Sequence, residues 1–119
     1  MTITAPSFFY TGLLGLLLIA LSVNVVRARR RYRVRLGTGT EAVRVHANFT
    51  EYVPLAAVLL ILCEVSDLPT AAVHGAGIVL VTSRVLHAWG LARSPGTTFG
   101  RFYGTAGTWL VIIGLSLWL

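Results

Sequence analysis

Four stretches of apolar residues, joined by links too short to fold on their own, account for nearly all of this 119-residue sequence. A bilayer core about 30 Å thick needs roughly 20 mostly apolar residues in a helix. Residues 6–26, 41–65, 70–92 and 100–119 supply such windows, the second with its apolar body from Phe49 to Val65. Lipid offers no partners for open strand edges or loops, so the spans must be helices. The expected fold is an all-α, integral membrane four-helix bundle, one domain over residues 1–119. Composition agrees, with 55% hydrophobic and 12% charged residues, where a soluble domain carries about 25% charged. This excludes a disordered tail, a multidomain protein and a soluble enzyme with its own cleft. The lone Cys63 excludes a disulfide framework.

The first window lacks a basic leader and runs straight into arginines instead of a small-residue cleavage site, so it reads as a retained span. Arginine placement then sets the expected topology. Six of ten arginines fall in residues 27–35, and Arg93 and Arg101 lie in the link between spans three and four. The opposite side carries only the short Asp67-Leu68-Pro69 link. By the positive-inside rule both arginine-bearing links face the cytoplasm, and both termini lie on the non-cytoplasmic side. The chain is thus a multi-pass membrane protein, of the inner or plasma membrane in a bacterium. Tyr10, Trp109 and Trp118 suit interfacial belts. Leu36-Gly37-Thr38-Gly39-Thr40 is turn-rich, Thr38 and Glu41 form a capping-box pattern, and Ser94-Pro95-Gly96 closes helix three.

Within spans, each ionisable residue costs at least about 2.5–3.5 kcal/mol unless paired or hydrated, so position is informative. Arg44, Asn48, Glu51 and Tyr52 stand at i, i+4, i+7 and i+8, one stripe of helix two. A guanidinium, an amide, a carboxylate and a phenol on one stripe can recognise a zwitterionic ligand. The same groups can equally bond helix to helix. Helix three adds Ser83, Arg84 and His87; Arg84 and His87 are i, i+3 neighbours able to face one cavity, with snorkelling to headgroups the alternative for Arg84. His87 has no second ligand at metal spacing, and no metal site is read. His74 reads as an interfacial or packing residue. The run from Arg27 to Arg35 chiefly serves topology and anionic headgroups, and nucleic-acid binding is disfavoured because no soluble domain presents it. Gly100-x-x-x-Gly104 and Ala71-x-x-x-Gly75 are small-residue patterns that permit subunit association.

The stripe Arg44-x-x-x-Asn48-x-x-Glu51-Tyr52-x-Pro54, after an arginine-rich link and followed by Arg84-Val-Leu-His87, resembles the MAPEG family. These are membrane-associated proteins in eicosanoid and glutathione metabolism, and the likeness spans nearly the whole chain. It implies a homotrimer with glutathione held between subunits near the cytoplasmic face as co-substrate. It implies that Arg44, Asn48, Glu51 and Tyr52 contact glutathione, with Arg29 and Arg30 contributing at the mouth. His46 falls where one branch has a glutamine contact, His87 where some relatives have a tyrosine or histidine, and Arg84 matches a helix-three arginine. Arg101 is the candidate for the helix-four arginine that stabilises the thiolate, with Arg30 as the alternative catalytic residue. Its register differs from that of the relatives by about a turn, and Leu91 stands where relatives have a second tyrosine.

The activity so implied is a glutathione-dependent transferase, extending to a peroxidase, that acts on lipophilic electrophiles dissolved in the membrane and serves detoxification. The alternative is a catalytically inactive member of the fold with a structural or ligand-binding role. A small four-span exporter is disfavoured, because span one carries no carboxylate.

Overall fold

The computed structural model describes residues 5–32, 41–93 and 99–119. Four helices occupy them: α1 (Pro6–Tyr32), α2 (Glu41–Val65), α3 (Thr70–Arg93) and α4 (Phe99–Trp118). No strand occurs among the described residues, and the fold is an all-α membrane bundle. The turn at Leu36–Thr40, the Thr38 capping box and Ser94-Pro95-Gly96 lie outside the described residues. α1 continues through Tyr32, so Arg27 and Arg30 stand on helix and not in a loop. Arginine is a good helix former, and no glycine or proline stands between Gly15 and Gly37.

Three helical segments, Pro6–Arg27, Val43–Val65 and Thr70–Trp89, are long and apolar enough to cross a membrane. The helix in the fourth window, α4, is not among these three. α4 has 20 residues, about 30 Å at 1.5 Å per residue, but Arg101, Tyr103 and the glycines and threonines of its first half dilute its apolarity. It is held instead by packing. Gly100, Gly104, Thr108, Val111 and Leu115 form its buried stripe.

The α2–α3 link shows how little chain is needed to reverse direction. Leu68 N–H donates to Cys63 O at 2.9 Å and Asp67 N–H to Glu64 O at 3.2 Å, with Asp67 left-handed at φ 73°. This pair of bonds closes the end of α2 in the Schellman pattern, and Leu68 packs on the core below. Glu64 also reaches α1: its Oε1 accepts from Ser7 N–H at 3.2 Å and from Ser7 Oγ. A carboxylate there satisfies an unpaired donor at the N-terminus of α1 and complements its dipole. One turn on, Tyr10 Oη and His74 Nδ1 share a 2.8 Å hydrogen bond. Tyr10 is buried at 5% exposure, so it joins α1 to α3.

α2 and α3 form the centre, each touching the other three helices, while α1 and α4 flank them and do not meet among the described residues. The result is a slab of 48 × 32 × 18 Å. Its interior holds Leu14, Phe49, Val53, Leu60, Val73 and Leu80, and large apolar side chains such as Leu16, Ile19, Leu55 and Leu110 cover its faces. That distribution suits a lipid solvent.

The tightest packing joins α3 to α4. A Cβ at Gly104 would lie 2.6 Å from both His87 Cβ and Ser83 O, and one at Gly107 would overlap the Ser83 hydroxyl. Gly104 therefore serves close packing of α4 on α3 within the chain. Nothing crowds Gly75, which with Ala76, Val79, Leu110 and Gly114 lines a shallow apolar groove of about 330 Å³. Replacing Gly104 by leucine should lower thermal stability in detergent by about 1–3 kcal/mol or more. Gly12→Leu, at a position with nothing within 4 Å, should leave the melting curve nearly unchanged.

Candidate functional site

On α2 the sequence alternates between two duties at helical period. Val45, Phe49, Val53 and Ala56 are buried and form the inward face. One residue earlier on the wheel run Arg44, Asn48 and Glu51, which with His87 and Arg101 line a polar pocket of about 210 Å³. A second, more apolar pocket of about 510 Å³ adjoins it, sharing Asn48, His87 and Arg101 and adding Phe102, Thr105, Ala106 and Trp109. The first is small for a ligand site, but the second lies within the usual range of about 300–1,000 Å³. The pair gives one depression, polar at one end and aromatic at the other.

Behind the pocket lies Arg84, at 1% exposure. Its Nη2 donates to Asn48 Oδ1 at 2.7 Å and its Nη1 to Thr108 Oγ1 at 3.3 Å. Thr108 spends its own proton on Gly104 O at 2.8 Å, which leaves the oxygen free to accept. The guanidinium carbon lies 5.8 Å from the centre of the Phe49 ring, within cation–π range. One side chain thus ties α3 to α2 and α4 through two neutral acceptors. The snorkelling alternative for Arg84 does not occur. Arg84 Nε and His87 Nδ1 are buried with no hydrogen-bond partner among the described residues, and His87 is itself only 2% exposed.

The structure thus brings together Arg44, Asn48, Glu51, His87 and Arg101, drawn from three helices, with Arg84 beneath. Tyr52 sits beside them, its ring 6.5 Å from that of Trp109. His46 lies elsewhere: its Nε2 is 3.2 Å from Ser22 Oγ on α1, as two residues on from Arg44, about 200° around the helix, requires. Arg30 is exposed on α1 and lines neither pocket. Arg29 is on α1, and its side chain lies outside the described residues. Among the described residues no three His, Cys, Asp or Glu side chains gather as a metal group.

Of the α4 wall, sequence reasoning found Arg101 and missed the rest. Arg101, Thr105, Thr108 and Trp109 stand at i, i+4, i+7 and i+8, the same spacing as Arg44, Asn48, Glu51 and Tyr52. That repeated signature was available; its facing partner was not.

Charge in the site is unequal, with three guanidinium groups against the single carboxylate of Glu51. Such a depression can hold a molecule bearing more than one anionic group and one cationic group. A multi-pass helical membrane protein with a basic pocket opening beside an aromatic groove is a narrow class. Residues 7–119 match the MAPEG family model, and the chain belongs to that family. It is 37% identical over 120 residues to "Inner membrane protein YecN" of Escherichia coli strain K12, covering 94% of this chain and 90% of that relative. The protein of the same name from E. coli O6:H1 strain CFT073 matches to the same extent.

Thr108→Val keeps the shape of the α4 seam and removes the acceptor for Arg84 Nη1. It should cost about 1–2 kcal/mol, read as a fall in melting temperature of the detergent-solubilised protein.

Proposed function

We propose that this MAPEG protein is a glutathione-dependent transferase acting on lipophilic electrophiles that reach it from the bilayer. The observation carrying this reading is the shared wall of the two pockets: Asn48, His87 and Arg101 border both a basic polar cavity and an aromatic groove. Glutathione carries two carboxylates, one ammonium and a thiol. The residues present fit that inventory: Arg44 for a carboxylate, Glu51 for the ammonium, and Asn48 as an orienting amide. When bound, glutathione would supply a thiolate that forms a carbon–sulfur bond to an electrophile, either expelling its leaving group as an anion or adding to an activated double bond that then takes up a proton.

Arg101 is the residue assigned to hold that thiolate. A guanidinium within about 4–6 Å of an acid lowers its pKa by about 1–3 units, and its position on both pockets puts it between polar and apolar partners. Phe102 and Trp109 border the groove on the side that an apolar electrophile would use. Arg30 lines neither pocket of its own chain; in the homotrimer that family membership suggests, it would act at a neighbour's mouth. A second reading is a ligand-binding member without turnover; Leu91, in place of a relative's tyrosine, favours it. Binding without conjugation of any electrophile distinguishes that case.

Adding glutathione to the purified protein should raise ultraviolet thiolate absorbance at neutral pH. Arg101→Ala should lower the bound thiolate fraction at least about tenfold with affinity little changed. Glu51→Gln should weaken affinity about tenfold or more and leave the thiol's titration in the bound state unchanged. Failure of the parent protein to bind glutathione removes the proposal.

The arginine-bearing ends of α1 and α4 are assigned to the cytoplasm, with both chain termini outside. Fusions at the C-terminus should make alkaline phosphatase active and green fluorescent protein dark. The reverse pattern would invert the topology.

A further inference from the structure

A guanidinium has donors only, whereas an amide has one accepting end and one donating end. The Asn48 atom that faces Arg84 Nη2 at 2.7 Å must therefore be its oxygen. Asn48 also lines both pockets, so the amide group left to face a ligand is its NH₂. The buried Arg84 cannot easily release this bond. It is 1% exposed, its second arm is engaged by Thr108, and Phe49 lies against it. Moving it would strand a charge in the interior, which costs several kcal/mol.

The geometry points to Arg84 as a positioning residue that sets the hydrogen-bonding polarity of the site. By holding the Asn48 oxygen toward the interior, it turns the NH₂ group toward the pocket, so this wall favours an anionic or carbonyl oxygen of the ligand over an ammonium. Arg84 does so without touching the ligand. Its buried place behind Asn48 differs from the direct glutathione contact that the resemblance implies. Glu51 then remains the acceptor on the α2 stripe, and the ligand has one permitted orientation: oxygen acceptors toward Asn48, Arg44 and Arg101, and ammonium toward Glu51. The inference rests on the glutathione reading for the ligand's identity.

The test compares Asn48→Asp, Arg84→Gln and Arg84→Met with the parent, measuring glutathione affinity by calorimetry and melting temperature in the same detergent. Asn48→Asp keeps an acceptor for Arg84 and gives that buried charge a counter-ion, so its melting temperature should equal or exceed the parent's. It also turns an acceptor toward the pocket, and glutathione affinity should fall at least about tenfold. Arg84→Gln can still donate to Asn48 Oδ1 and should keep affinity within about threefold, whereas Arg84→Met leaves the amide free to turn and should lose about tenfold. The Asn48→Asp arm stands by itself if the methionine variant fails to fold. Parent-like affinity in a stable Asn48→Asp overturns the inference and leaves the proposed function intact. So does an equal loss in folded Arg84→Gln and Arg84→Met. A parent that binds no glutathione overturns both.

Discussion

A permanent positive charge at the centre of a membrane protein must be answered from within, and the packing of this fold around Arg84 follows from that need. Its two hydrogen-bond acceptors are an amide on α2 and a hydroxyl on α4, so satisfying the charge fixes α3 against both neighbours. The hydroxyl gives its proton to Gly104 O, which orients its lone pairs toward Arg84, and a side chain at Gly104 would collide with α3. Charge, cap and close packing are one coupled arrangement. In this family member the interior charge is structural support and electrostatic backdrop at once, since the pocket it underlies is bordered by Arg44 and Arg101.

The flanking helices are held by different means. α4 is locked on by small residues and the Arg84 fork, whereas α1 is joined through discrete polar links, Ser7 to Glu64, Tyr10 to His74 and Ser22 to His46. The slab this produces has broad apolar faces, as a lipid-embedded subunit requires, and its polar depression lies on the α2–α4 side. The better-packed half of the molecule is therefore the half that carries the site.

The fold was legible because membrane length is a hard constraint: a chain with this hydropathy has few ways to arrange its apolar segments. Helix four was legible from its apolar second half, whereas its first half is held by contacts that no window detects. The α2 stripe was legible because Arg44, Asn48 and Glu51 share one helix and one period. The pairing of Arg84 with Asn48 and Thr108 was not, because it depends on the register between helices, and sequence spacing reports register only within one. His46 shows the opposite case. The resemblance put it with the ligand residues, whereas its angle on α2 directs it to Ser22 within this subunit.

The short Asp67–Pro69 link has a consequence for how the chain enters the membrane. An arginine inside a span is costly to insert without a partner, and α3 carries Arg84 within its membrane-spanning segment. The acceptor Asn48 is on the helix synthesised immediately before, and the tight turn sets the two side by side as soon as α3 emerges. A hairpin of α2 and α3 is the smallest insertion unit that gives the charge a partner. Helix α4, the last made, then packs beside a guanidinium whose second arm its Thr108 completes, so the polar residue that hinders insertion of one helix helps retain the next.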